Sequence, residues 1–398
     1  MNYDEFKNHV EENIKGFLDE SYENASVQIN TVIKNNGREL DALQIRKEGE
    51  TITPSIYLND FFKNYEQNGD LDKVMQQIAD TRVAADRTQL PISIDDITNF
   101  DSIKGKIDCR LLNMEKNEEY LKDRPFTQVE DLAVVYSIDL GGNETDGKMS
   151  TVITDNLLGQ WGISTEELHA VAMENLENSD SKFMSMRDTI VALMFPDMDP
   201  NDPQIDMMLP PMDPDKAMYV LTSDDKMYGA KLLLDTEKMD DIAEKLGGDF
   251  IVLPSSVHES IILPNAESIS REELEGIVQS VNSTVLEPQD FLSDNVYCYD
   301  SQTHELLRAD HYEKKAAEKV QMAIVGEKEA AYEATDISSK DGKDVKVKTD
   351  TVKDSKTDQK DNHHERKSVK AQIAEKKDII AKAAVEKANP VKNHNKEI

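Results

Sequence analysis

From Ala334 to Ile398 the chain contains no aromatic residue. Sixteen Lys and Arg and twelve Asp and Glu fall in those last 65 residues, among Thr, Ser, Asn, Gln and scattered aliphatics. A segment of that make-up cannot bury enough apolar surface to offset the entropy of ordering it. Residues 334–398 are therefore expected to be a disordered, charged tail. One stretch departs from the rest. In residues 365–388, Val369, Ile373, Ile380 and Ala384 recur at helical spacing. The spacing predicts a helix that is either marginal and solvated or folds on a partner. The folded body is thereby confined to residues 1–333.

Charge divides at the same boundary. The chain carries −33 at neutral pH, the tail +4, and the body −37. A body so acidic lacks the positive footprint that direct nucleic-acid binding requires. No apolar run approaches the roughly 20 residues of a membrane-spanning helix. Cys109 and Cys298 are the only cysteines, too few for a disulfide framework. The start, Met1-Asn2-Tyr3-Asp4-Glu5, has neither the basic opening nor the apolar stretch of a signal peptide, and neither end carries a lipidation motif. The expected location is cytoplasmic, where two isolated thiols stay reduced.

Within the body, periods of 3.6 and 2 alternate. Phe6, Val10, Ile14 and Phe17 predict an amphipathic helix over 3–20. Ala25, Val27, Ile29, Thr31 and Ile33 predict a strand, Asn35-Asn36-Gly37 a turn, and Leu43 and Ile45 the returning strand. Leu58, Phe61, Phe62 and Tyr65 mark a helix stopped at Asn68-Gly69. Asp70 then caps another through Leu71, Val74, Met75 and Ile78. Residues 132–140 and 149–153 read as a second hairpin around Gly141-Gly142-Asn143. Residues 218–221 with 229–234, 249–253 with 259–263, and 296–299 with 305–308 read as further strand pairs. A helix over 236–246 ends at Gly247. Ser164 with Glu167 forms a capping box, with Ile163 and Leu168 as its staple. The string Ile-Ser-x-Glu-Glu-Leu recurs at 269–274, either as a duplication or because capping selects the same residues at both helix starts. Residues 196–215 hold six Pro and six Asp and read as an exposed, non-helical excursion. Helices and hairpins without a βαβ rhythm predict an α+β fold, with helices packed on antiparallel hairpin-built sheets. The body is expected as one or two intimately packed units, with any break near 90–105.

Chemistry is sparse. Ser255-Ser256-Val257-His258-Glu259 holds the residue types of nucleophilic catalysis. The Gly-x-Ser-x-Gly elbow is absent, and sequence adjacency does not make a triad. The plainer reading is a turn in which a serine caps the backbone and His258 opens the next strand. Asp197, Asp199, Asn201 and Asp202 faintly follow a calcium loop. Asp202 stands where glycine is needed and Met208 where a bidentate Glu is needed. His9, His169, His258, His304, His311, His363, His364 and His394 show no zinc-ligand spacing with cysteine. Gly141 to Lys148 lacks the Ser or Thr that closes a phosphate loop, so it reads as a hairpin tip. Trp161, the single tryptophan, reads as a packing anchor. No residue is assigned as catalytic, cofactor-binding or metal-ligating, and no cofactor is expected.

Four strings taken in order carry a resemblance: Ile56-Tyr57-Leu58-Asn59-Asp60-Phe61, Trp161-Gly162-Ile163-Ser164, Met227-Tyr228-Gly229-Ala230, and residues 249–259 from Asp249-Phe250 to His258-Glu259. Over roughly Met1 to Arg308 the chain resembles a bacterial, Firmicute-type domain-of-unknown-function family. The helix from Ser164, with Ala172 and Asn175-Leu176, also resembles a second uncharacterised bacterial family. The resemblance implies a bacterial α+β body and no particular activity. The expectation is a non-enzymatic binding or regulatory protein with a strongly acidic surface. Two alternatives stand beside it: a hydrolase-like enzyme centred on Ser255 to Glu259, and a nucleic-acid mimic that binds a basic protein.

Overall fold

A computed structural model describes residues 1–50, 53–87, 92–143, 147–198, 202–209, 217–264 and 270–322. The tail at 334–398, its helix at 365–388, the tip residues 144–146 and residues 199–201 of the calcium-like string lie outside the described residues. The chain divides into two units: Met1–Met186 with Met218–Leu306, and Arg187–Ala217 with the residues from Leu307 onward.

The first unit begins with helix α1 (Tyr3–Asn13). The Asn2 side chain accepts from the Glu5 N–H, and Glu5 reaches back to Asn2. Phe6 and Val10 are buried, as their period demands. The expected helix to residue 20 instead tightens at Ile14 into a 3-10 turn, Ile14–Phe17, with the poor helix former Gly16 inside it. Strands β1 (Ser26–Ile33) and β2 (Glu39–Arg46) pair antiparallel, from Ser26 opposite Arg46 to Ile33 opposite Glu39. Asn36 adopts φ 57° in their turn, a backbone that asparagine tolerates better than most residues. Strand β3 (Ile56–Tyr57) joins β2 and leads into α2 (Leu58–Asn68). Gly69, at φ 70°, ends α2, and the Asp70 carboxylate accepts from the Lys73 N–H at the start of α3 (Leu71–Arg87). These elements share one core, including Phe6, Leu43, Ile45, Leu58, Met75 and Ile78.

A second core follows. Short helices α4 (Ile94–Thr98) and α5 (Phe100–Ile103) precede β4 (Ile107–Asn113), α6 (Glu118–Leu121), β5 (Phe126–Val129), β6 (Leu132–Asn143) and β7 (Gly147–Val152). The long β6 organises this sheet. Its first half pairs with β4 on one side and β5 on the other, and its second half pairs with β7. Helix α7 (Asp155–Trp161) brings Trp161 against Phe100, with the indole N–H donating to the Ile97 carbonyl at 2.9 Å. Helix α8 (Thr165–Glu177) starts on the expected capping box and buries Leu168, Ala172 and Leu176.

The six-stranded sheet has the order β13-β12-β10-β11-β9-β8. Its members are β8 (Ser181–Ser185), β9 (Tyr219–Ser223), β10 (Phe250–Pro254), β11 (Glu259–Pro264), β12 (Tyr297–Asp300) and β13 (Glu305–Arg308). Helix α9 (Met186–Met194) follows β8, and α10 (Pro203–Met208) lies in the second unit. Helix α11 (Thr236–Leu246) ends at Gly247, φ 84°, and α12 (Arg271–Thr284) is capped by Ser270. The fold is α+β, with antiparallel pairings throughout the registered strands.

Two further expectations are corrected. Residues 229–234 form a 3-10 helix, Gly229–Leu234, and β9 pairs with β8 and β11 instead. Ala230, Leu232 and Leu233 are all buried, and a short apolar run of that kind carries no period to separate strand from helix. The excursion at 196–215 contains a short helix, α10, because Pro203 sits at a first-turn position where its missing donor costs nothing and Asp202 caps the start. Strands β5 and β8 are too short to carry a clear period, whereas β4 alternates over Ile107-Asp108-Cys109-Arg110-Leu111 and buries five of its seven residues.

In the second unit, Arg187 ties α9 to α10, donating to the Leu209 carbonyl at 3.0 Å and to Asp206 at 2.5 Å. Ile190, Val191 and Ile205 are buried there. A last helix, α13, spans residues 309–322.

Candidate functional site

The Ser255–Glu259 string turns the β10–β11 hairpin. Ser256 Oγ accepts from the His258 N–H at 3.0 Å, and the Ser256 N–H donates to the Glu259 carbonyl at 3.1 Å. This is the capped turn of the plainer reading. The loop after β9 packs against it. The Gly229 N–H and the Thr222 hydroxyl both donate to the His258 carbonyl, at 3.0 and 2.9 Å. A Cβ at Gly229 would stand 2.5 Å from that carbonyl oxygen and 2.5 Å from the Ser223 nitrogen, so only glycine fits. Tyr228 precedes it at φ 54°, and its backbone N–H donates to His258 Nδ1 at 3.1 Å.

That bond decides what the imidazole can do. Nδ1 accepts, so Nε2 carries the proton and faces Asp290 Oδ1 at 3.3 Å. Both ring nitrogens are occupied, and neither serine is among their partners. Ser255 Oγ instead donates to Glu259 at 3.4 Å. Burial pushes the Glu259 carboxyl above its usual range, against a smaller opposing pull from Ser255. The structure thus brings Ser256, His258 and Glu259 into one turn but aligns no Ser–His–carboxylate relay among them. The Arg110 guanidinium lies 3.9 Å from the centre of the Tyr228 ring and donates to Ser150, fastening the loop to the neighbouring sheet. The buried Lys231, paired with Asp108, adds a second fastening.

A different place is open to solvent. Asp240, Ala243, Glu244, Gly247 and Gly248 at the end of α11, with Ser301 and His304 of the β12–β13 turn, line a shallow depression of about 460 Å³. Asp240 and Glu244 stand four residues apart and so share a helix face. Asp240 Oδ1 accepts from His304 Nδ1 at 2.8 Å and from the Tyr299 hydroxyl at 2.7 Å. Burial alone would raise the Asp240 pKa, but these two donors hold it below the usual carboxylate range. Burial and the Asp240 carboxylate together push the Tyr299 phenol upward. His304 adopts φ 57°, which turns it back towards α11. No sequence motif marks Asp240 and Glu244. Their only signal was the four-residue spacing ahead of Gly247-Gly248.

Among the described residues, no group of three or more His, Cys, Asp or Glu stands where it could hold a metal ion. No helix among them is long and apolar enough to cross a membrane. Cys109 and Cys298 are buried, and neither is in a disulfide.

An α+β domain with interlocked turns and a carboxylate-lined depression defines the class. The chain belongs to the family described as a family of unknown function (DUF5688), whose model matches residues 3–301. No curated relative and no solved structure matches the chain.

Proposed function

We propose that the protein is a non-enzymatic binding protein whose acidic body engages basic partners, and that the depression beside α11 receives a lysine or arginine side chain. The observation that carries this reading is Asp240. Two donors keep its carboxylate ionised at the wall of an open hollow, with Glu244 one turn further along the same helix. A cation entering there meets charge that is already fixed in place. The −37 charge of residues 1–333 supports the same partner class. Two buried cysteines outside any disulfide suit the reducing cytoplasm of the bacterial setting that the sequence suggested. The hydrolase alternative loses support because both nitrogens of His258 are engaged by the fold. The mimic alternative asks more: carboxylates in one ridge at duplex phosphate spacing.

The test uses titration calorimetry of the intact protein with a synthetic Lys- and Arg-rich peptide at low and physiological salt. Glu244→Lys reverses an exposed charge that bonds nothing in the fold's interior. Affinity is expected to fall about tenfold and to become less sensitive to salt. Unchanged affinity in Glu244→Lys, or no binding at low salt, defeats the proposal.

A further inference from the structure

The chain holds two Asn-Gly pairs, Asn36-Gly37 and Asn68-Gly69. Asparagine followed by glycine is prone to lose its side-chain amide, because no side chain shields the glycine nitrogen. That nitrogen attacks the asparagine Cγ, ammonia leaves, and the cyclic imide takes up water to give aspartate or isoaspartate. Attack requires a backbone rotation that brings the glycine nitrogen round to the side of Cβ.

The fold holds Asn36 away from this reaction. At φ 57° and ψ 36° the Gly37 nitrogen is turned almost directly away from Cβ. The Asn36 Nδ2 donates to the Pro288 and Phe291 carbonyls, both at 2.8 Å, and its Oδ1 accepts from the buried Asn117 Nδ2 at 3.0 Å. These partners fix the amide in one orientation, nitrogen towards the two carbonyls. The exposed Asn68 is held differently, its Nδ2 donating at 3.0 Å to the Asn64 carbonyl of its own helix.

The arrangement that protects Asn36 also rejects the product. A carboxylate has no hydrogen to donate, so in place of the amide it would set an oxygen 2.8 Å from two carbonyl oxygens. Isoaspartate adds a carbon to the backbone and displaces the turn itself. Either product breaks the contact between the β1–β2 turn and the segment at 288–291. We propose that Asn36-Gly37 is a modification site, deamidated by water whenever this contact opens, and that the modification keeps it open. The closed turn prevents conversion, the open turn permits it, and the converted turn no longer closes. Each chain thus carries a permanent mark of having opened.

The experiment uses the full chain, aged in mildly alkaline buffer, with both pairs followed by peptide mass spectrometry. Conversion that needs opening proceeds in proportion to the opened fraction. Asn36 is expected to convert about a hundredfold more slowly in the native wild type than in denaturant, and about tenfold faster in native Asn117→Ala than in native wild type. Asn68 should keep its rate in that variant. The fraction of wild type converted at Asn36, separated by anion exchange on its added negative charge, should show hydrogen exchange quickened about tenfold in β1 and β2 and unchanged in β4 and β6. Asn36→Asp should behave in the same way without ageing. Equal conversion of Asn36 in native and denatured protein overturns the proposal, as does an unaltered Asn36 rate in Asn117→Ala. Wild-type exchange in the converted fraction overturns it too, since the contact then survives the loss of the amide.

Discussion

His258 shows how a residue that looks chemical in the sequence becomes architectural. Its carbonyl accepts from Gly229 and Thr222, its N–H donates to Ser256, and its two ring nitrogens meet Tyr228 and Asp290. His258→Ala should cost about 1–3 kcal/mol, because the Tyr228 N–H is left without its acceptor. His258→Asn should recover part of that loss, its amide oxygen standing in for Nδ1. Thermal melting reads both; an alanine variant that melts with the wild type would show that the clasp carries no stability. The serine and the carboxylate beside His258 were legible in the sequence, as was the turn. That both ring nitrogens are engaged was not, because the decisive donor, the Tyr228 N–H, arrives from thirty residues away.

At the scale of elements, the N-terminal layer is locked by a charge placed where charge is costly. Arg82 of α3 is fully buried. Its guanidinium donates to the Ile45 carbonyl at the end of β2, grips Glu50 with one terminal nitrogen at 2.7 and 2.9 Å, and pairs with Asp86. Lys47 and the Tyr22 hydroxyl also reach Asp86. Burial would raise the Asp86 pKa, but donors from Lys47, Tyr22 and Arg82 outweigh it and bring the value down to about 2 from an ordinary 3.8. The unfolded chain therefore takes up this proton first as the pH falls. The stabilisation is complete above the ordinary value and is lost between there and pH 2. Asp86→Asn should lower the melting temperature at neutral pH and flatten its decline below about pH 5. An Asp86→Asn curve parallel to the wild type at every pH would refute the assignment. The helix and both strands of this clasp were visible as patterns. The ion cluster was not, since nothing in a helical period tells a buried arginine from a solvated one.

For the molecule as a whole, the first unit depends on two cores being joined. The β1–β2 turn does this. Asn36, in its left-handed conformation, donates from its side chain to the Pro288 and Phe291 carbonyls, and its N–H donates to Asn117 Oδ1 at 2.8 Å. The buried Asn117 amide donates in turn to Asn35, Asn36 and Asn113. Asn117→Ala should leave the four-stranded sheet intact while loosening the N-terminal hairpin. Hydrogen exchange is expected to quicken in β1 and β2 by about tenfold or more, matching the loss of one buried hydrogen-bonded group of about 1–3 kcal/mol. Exchange that quickens equally in β4 and β6 would mean the two cores unfold as one.

Elements that rest on local chemistry are encoded by their own few residues. The Ser164 capping box, the stops at Gly69 and Gly247, the Asn36 turn and the hairpins of β6–β7 and β10–β11 stand where neighbouring residues dictate. Each is decided within a few residues by a cap, a positive φ or a period. Long-range packing instead makes residues 229–234 coil rather than extend, makes Asn36 a docking point as well as a turn, and brings Asp240 to His304 across a separation of 64 residues. Those outcomes depend on burial from every side and on partners far along the chain, and no local pattern encodes either.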